Sequence, residues 1–161
     1  MHSLSRNAVL VLIGVSLVLH DTEEYFTFPP FFRSSSRLLR WLPTPVLLQN
    51  TQHLHFALLM ATVLPLAVVA WAVLRPGKAL LVAVLFLESV LLVNAGWHML
   101  AAAVNRGYVP GVITAVLINL PFGIYVLRRA VREQWIGWRA AWQMIGLAVV
   151  LHIVAVGSLL G

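Results

Sequence analysis

Cysteine is missing from this chain altogether, which excludes disulfides, thiolate metal ligands and a cysteine nucleophile. Charge is scarce as well. Only 10% of the residues are charged, against 61% hydrophobic, where soluble domains carry roughly 25% charged residues. That deficit excludes an ordinary soluble fold and points to a chain solvated by lipid. Acidic residues are scarcest of all, 5 against 11 Lys and Arg. The resulting charge of +6 does not signal nucleic-acid binding, because no basic run is interleaved with a soluble fold. Its simpler source is the enrichment of Arg and Lys in cytoplasmic loops.

Long apolar runs are what the chain does have. Crossing a bilayer takes about 20 apolar residues, and four runs reach that length: 54–74, 79–104, 109–127 and 140–160. A fifth, 7–26, opens like a secretory signal, with Arg6 ahead of an apolar stretch. His20-Asp21-Thr22-Glu23-Glu24 stands where a small-residue cleavage site belongs, so the run reads as an uncleaved first span. The expected fold is therefore all-α: one transmembrane domain over 1–161, a polytopic bundle of about five spans. Between the first two spans, Pro29 and Pro30 are expected to stop the first helix. Beyond them Arg33, Arg37 and Arg40 share a face, as in a short amphipathic helix lying in the interface. Arg6, Arg75, Lys78, Arg128, Arg129, Arg132 and Arg139 fall on the N-terminal side, against Arg33, Arg37, Arg40 and Arg106 opposite. The excess predicts a cytoplasmic N-terminus and an outside C-terminus.

Polar residues inside such spans cost about 2.5–3.5 kcal/mol each when ionisable, which makes them functional suspects. His20 lies three residues before Glu23 and four before Glu24, so all three can share a helical face; Asn94 and His98 are again four apart. Asp21 is rotated about 100° from His20 and is expected at the interface or as a cap. With a rise of about 1.5 Å per residue, His20, Glu23, Glu24, Asn94 and His152 fall roughly 18–24 Å from the cytoplasmic end of their spans. His98 and His55 lie about 5 Å further out, and Glu88 and Asn119 near the midplane. Glu88 is too far from His98 to share a ligand, and is available to pair with Asn119 or to floor a cavity. Gly96 and Gly107 read as places of close helix approach or turn.

Three strings stand in order along the chain: His20-Asp21-Thr22-Glu23-Glu24 (HxxEE), Asn94-Ala95-Gly96-Trp97-His98 (NxxxH) and Tyr108-Val109-Pro110-Gly111 (YxPG). Together, on a small hydrophobic chain, they resemble the HXXEE-domain family of integral membrane proteins, regarded as enzymes without an assigned reaction. The resemblance implies that His20, Glu23, Glu24, Asn94, His98 and Tyr108 are the functional residues, and implies no substrate.

Three classes of function compete. An acid–base enzyme would set two adjacent carboxylates and a histidine to hydrolysis or isomerisation of a lipid-like or otherwise apolar molecule, with Asn94 and His98 stabilising an oxyanion. A metalloenzyme would use His20, Glu24 and His98, joined by His152, as nitrogen and oxygen ligands for zinc or iron. A proton-coupled carrier or a structural membrane protein would employ the same intramembrane Glu and His residues without chemistry; five spans without an internal repeat argue against the usual carrier plan unless the chain forms an oligomer.

Overall fold

The computed structural model describes residues 4–33 and 51–160. All its regular structure is helical, and no strand occurs among the described residues: α1 (Arg6–Arg33), α2 (Thr51–Leu74), α3 (Lys78–Asn105), α4 (Val112–Arg132) and α5 (Trp138–Leu160). Helices α2 to α5 are each long and apolar enough to cross a membrane. Helix α1 is set apart by Asp21, Glu23 and Glu24, of which Asp21 and Glu24 are buried and Glu23 half-buried. The amphipathic helix expected after it lies outside the described residues.

The prolines do not stop the first helix, which continues through Pro29 and Pro30 to Arg33. Proline's fixed φ is already helical, and each ring removes only one backbone donor, which a terminal turn tolerates better than an interior one. In α4 a proline acts differently. The helix starts as Val112–Thr114, widens into a π-helical turn at Ala115–Asn119, and resumes α-helical geometry at Leu120, one residue before Pro121. Pro121 has no N–H to return to the preceding turn, which lets that turn widen. A widened turn resets the face on which residues before and after it lie. Thr114 can then look toward α1 while Asn119 and Gly123 look toward the bundle interior, both buried.

Helix α3 is central, packing on α2, α4 and α5, while α1 lies along α2. One end of the bundle is a closed apolar core. Val9, Leu10 and Ile13 of α1 meet Val84 and Leu85 of α3, Val126 and Ala130 of α4, and Val69 and Ala72 of α2. Large apolar residues such as Trp71, Leu74 and Leu117 are exposed on the outer faces, as lipid solvation requires. Inside lipid there is no apolar-for-water exchange to hold helices together, so close packing carries the association.

The glycines at which helices close up are Gly14 and Gly123, not Gly96 and Gly107. A Cβ on Gly14 would sit 3.0 Å from Leu66; one on Gly123 would sit 3.0 Å from the Glu88 carboxylate and 3.3 Å from the Leu92 Cβ. Around Gly96 the space is open. Gly107 belongs to the turn that ends α3, where its N–H bonds to the Ala102 carbonyl and Arg106 takes the left-handed φ of 53°. Gly123→Ala is therefore expected to destabilise by about 1–3 kcal/mol through overpacking. Gly96→Ala should instead be neutral or stabilising by about 0.5–1 kcal/mol, since alanine replaces a poor helix former. Unfolding in detergent, compared between the two variants, checks the pair; equal effects would remove the argument for close approach at Gly123.

Candidate functional site

Helical spacing does the first part of the assembly. His20 and Glu24 lie on the same face of α1, Asn94 and His98 on the same face of α3, and the crossing of the two helices brings both pairs together. His20, Glu24 and His98 are all buried. The Glu24 Oε1 lies 3.0 Å from the His98 Nε2 and 3.7 Å from the His20 Nε2. The two imidazoles meet edge to face at 4.9 Å. The Asn94 Nδ2 stands between them, 2.8 Å from the His20 Nε2 and 3.1 Å from the His98 Nε2. Two imidazole nitrogens and one carboxylate oxygen thus converge on one small volume, all three atoms within 4.8 Å of one another.

Backbone closes the cluster from the α4 side. Gly111 adopts φ 80° and lies so close that a Cβ there would come within 2.9 Å of both His20 Cε1 and His98 Cε1, and within 3.1 Å of the Glu24 Oε1. Only glycine combines that φ with that approach. The expected turn at Tyr108-Val109-Pro110-Gly111 is there, and its last residue forms one wall of the site.

The structure separates Glu23 from Glu24. Glu23 points at the start of α4 and accepts four hydrogen bonds: from the Tyr108 hydroxyl at 2.9 Å, the Ile113 N–H at 3.2 Å, and the N–H and hydroxyl of Thr114 at 2.8 and 2.6 Å. An anion with two backbone N–H donors at a helix start is a favourable pairing of charge and dipole. Thr114 connects this anchor to the cluster, because its hydroxyl oxygen lies 2.9 Å from the His20 Nδ1. Since the Thr114 proton goes to Glu23, the His20 Nδ1–H must donate to Thr114, and the His20 Nε2 is left as a lone pair aimed into the cluster. Tyr108 lies in the α3–α4 connection. Its partial burial and the Glu23 carboxylate facing it raise its phenol above the ordinary value, which keeps it a proton donor.

Beside the cluster, a cavity of about 250 Å³ runs between α1, α2 and α3 and is met by His152 of α5. His20, Glu24, Asn94 and His152 supply polar groups, while Ile13, Leu17, Ala61, Pro65, Leu87 and Val90 give it an apolar wall. The buried His152 Nε2 has no hydrogen-bond partner among the described residues, and its ring leans on Trp97 at 5.5 Å. Asp21 corrects expectation. It is neither interfacial nor a cap: it is buried, lines the same cavity and accepts a hydrogen bond from Thr62 of α2.

Other polar residues stay apart. His55 stacks on Tyr25 at 4.1 Å, away from the cluster. Glu88 and Asn119 are fully buried, yet their polar atoms have no hydrogen-bond partner among the described residues, so the pairing that was one of two possibilities for Glu88 is not made. Glu88 packs against Gly123 instead. Sequence reasoning missed Thr114, Gly111 and Thr62 as parts of the site. A lone threonine in an apolar run carries no signal of its own, and the role of Gly111 depends on which residues the turn faces.

Residues 11–126 match the profile of a family described as "Protein of unknown function with HXXEE motif". The chain is also similar to the uncharacterized protein YrkK of Bacillus subtilis (strain 168), 25% identical over 126 residues, which cover 77% of this chain and 75% of that one. No solved structure matches it significantly.

Proposed function

The chain belongs to the HXXEE-motif family, and from that premise we propose that it is a membrane-embedded enzyme that binds one divalent metal ion through His20, Glu24 and His98 and acts on an apolar or lipid-like substrate. The observation that carries the reading is the convergence of the three ligand atoms. Ligands bound tetrahedrally at about 2.0–2.1 Å stand roughly 3.3–3.4 Å from one another, and the carboxylate-to-imidazole separations of 3.0 and 3.7 Å bracket that value. The hydrogen bond behind His20 supports it. Metal-bound histidines ordinarily donate their other N–H to an oriented oxygen, and the His20 Nδ1–H does so to Thr114, itself held by Glu23.

Two histidines and one carboxylate suit zinc or non-haem iron. Such an ion supplies Lewis-acid polarisation and an activated water for hydrolysis, or, with iron, an oxidation. The chain's own residues provide the rest. The Asn94 amide can donate to a developing oxyanion. His152 faces the cavity with a ring nitrogen available to take or deliver a proton. The apolar wall excludes water, and a volume at the low end for small-molecule sites accommodates a short apolar segment, such as the reactive end of a longer chain. The reading takes the N-terminus as cytoplasmic and the site as open toward the outer leaflet, supported by the Arg and Lys excess at the N-terminal end. A carrier is favoured less, because Glu88 lies off the cavity.

One observation favours a second reading, acid–base catalysis without metal: the Asn94 Nδ2 bonds to both Nε2 atoms at once. It stands where a cation shared by the two imidazoles would stand. Elemental analysis by mass spectrometry of detergent-purified, chelator-free protein separates the two. The metal reading expects about one zinc or iron per chain, lost in both His20→Ala and Glu24→Ala. Absence of metal after incubation with either ion sinks it and leaves proton transfer through His20, Thr114 and Glu23.

A further inference from the structure

At the opposite end of the molecule from the polar cluster, the last turns of α4 carry Arg128, Arg129 and Arg132. Arg129 is buried and fully engaged. Its guanidinium binds Glu133 at 2.7 Å, the Tyr125 hydroxyl at 3.0 Å and the Leu4 carbonyl, and lies over the Trp135 ring. Arg128 and Arg132 are exposed on one face, four residues apart, where like charges repel. No carboxylate side chain is left to neutralise them. The chain has five: Asp21, Glu23 and Glu24 on the far half of α1, Glu88 buried against Gly123, and Glu133 bound to Arg129.

These two arginines, with Tyr125, Ile124 and Pro121, line a pocket of about 490 Å³. The Tyr125 oxygen accepts from Arg129, which leaves its own hydrogen to donate. Ile124 lies one turn, about 6 Å, from Arg128 toward the middle of the span, and Pro121 nearly one turn further. The pocket is thus cationic at its outer end and apolar toward the bilayer interior. Trp138 and Trp142, edge to face at 5.5 Å, stand at the start of α5, at this same end of the bundle, as aromatic residues do at a membrane interface.

We propose that this pocket binds the phosphate headgroup of one anionic phospholipid between Arg128 and Arg132, with its acyl chains along Ile124 and Pro121. Guanidinium forks recognise phosphate oxygens better than any other side chain. The apolar wall distinguishes a lipid from free phosphate, which would gain nothing from Ile124. The inference does not depend on the chemistry of the polar cluster.

Native mass spectrometry of the purified full chain in detergent, with equimolar phosphatidylglycerol and phosphatidylcholine, tests it. Two arginines at a membrane surface should favour the anionic lipid on the order of 30-fold. Arg128→Gln with Arg132→Gln should reduce the preference to about two-fold or less, whereas Arg75→Gln with Lys78→Gln, which removes two charges from another loop at this end, should leave most of it. Excess inorganic phosphate should not displace the lipid from the wild-type chain. No preference for phosphatidylglycerol, equal loss in the two double variants, or displacement by phosphate would each overturn the assignment.

Discussion

If the His20–Glu24–His98 cluster holds an ion as proposed, Gly111→Ala is expected to abolish that binding and to lower stability by about 2–4 kcal/mol, the sum of left-handed strain and overpacking. Alanine at φ 80° is strained on its own account. Its Cβ would also press on two imidazole carbons at 2.9 Å and a carboxylate oxygen at 3.1 Å. None of the three is free to retreat. His20 is fixed by Thr114 on one side and Asn94 on the other, and His98 by Asn94 and Glu24. The rings must therefore turn, and the convergence of the three ligand atoms is lost with them. Metal stoichiometry and thermal unfolding read the two effects separately. Gly111→Asn separates their causes, because asparagine tolerates the left-handed region but adds the same Cβ. It should recover part of the stability and none of the binding. A Gly111→Ala chain that keeps a full complement of ion would show that the backbone does not wall the site.

That dependence on Gly111 marks where sequence reading ends. The pairs His20–Glu24 and Asn94–His98 were legible because both lie one helical turn apart on a fixed surface, and polar residues in apolar spans have few places to go. Periodicity gives the direction in which a side chain points, but not what covers it. Asp21 shows the difference: its rotation away from His20 is right, yet α2 packs on that side and Thr62 meets it there. Glu23 and Glu24 are neighbours in sequence and look like a matched pair. One serves a helix start and the other the cluster, because the π-helical turn sets the beginning of α4 against α1. Local propensity also lost to context at Pro29 and Pro30. Glu88 and Asn119 were expected deep inside their spans and are fully buried, but their failure to pair follows from side-chain placement that spacing does not encode.

Thr114 had no signal at all, and it carries the next largest expectation. Thr114→Val preserves shape and removes the hydroxyl, leaving the His20 Nδ1–H without its acceptor and Glu23 with three of its four donors. Loss of the hydrogen-bond partner behind a metal-bound histidine typically costs roughly 10–100-fold in metal affinity, and if the cluster holds an ion as proposed, a loss within roughly that range is expected here, measured by competition with a chelator of known affinity. Thr114→Ser restores the hydroxyl and should restore most of the affinity. Tyr108→Phe provides the contrast. It also takes one donor from Glu23 but leaves the His20–Thr114 bond in place. If Thr114 acts by orienting His20, Tyr108→Phe should cost up to about 1–2 kcal/mol of stability while changing metal affinity by less than about two-fold. If it merely secures α4 to α1, both variants should weaken the ion equally, for then only the Glu23 anchor matters. Unequal losses, with serine rescuing threonine's, would trace the ordering of the site from a carboxylate through a hydroxyl to the imidazole.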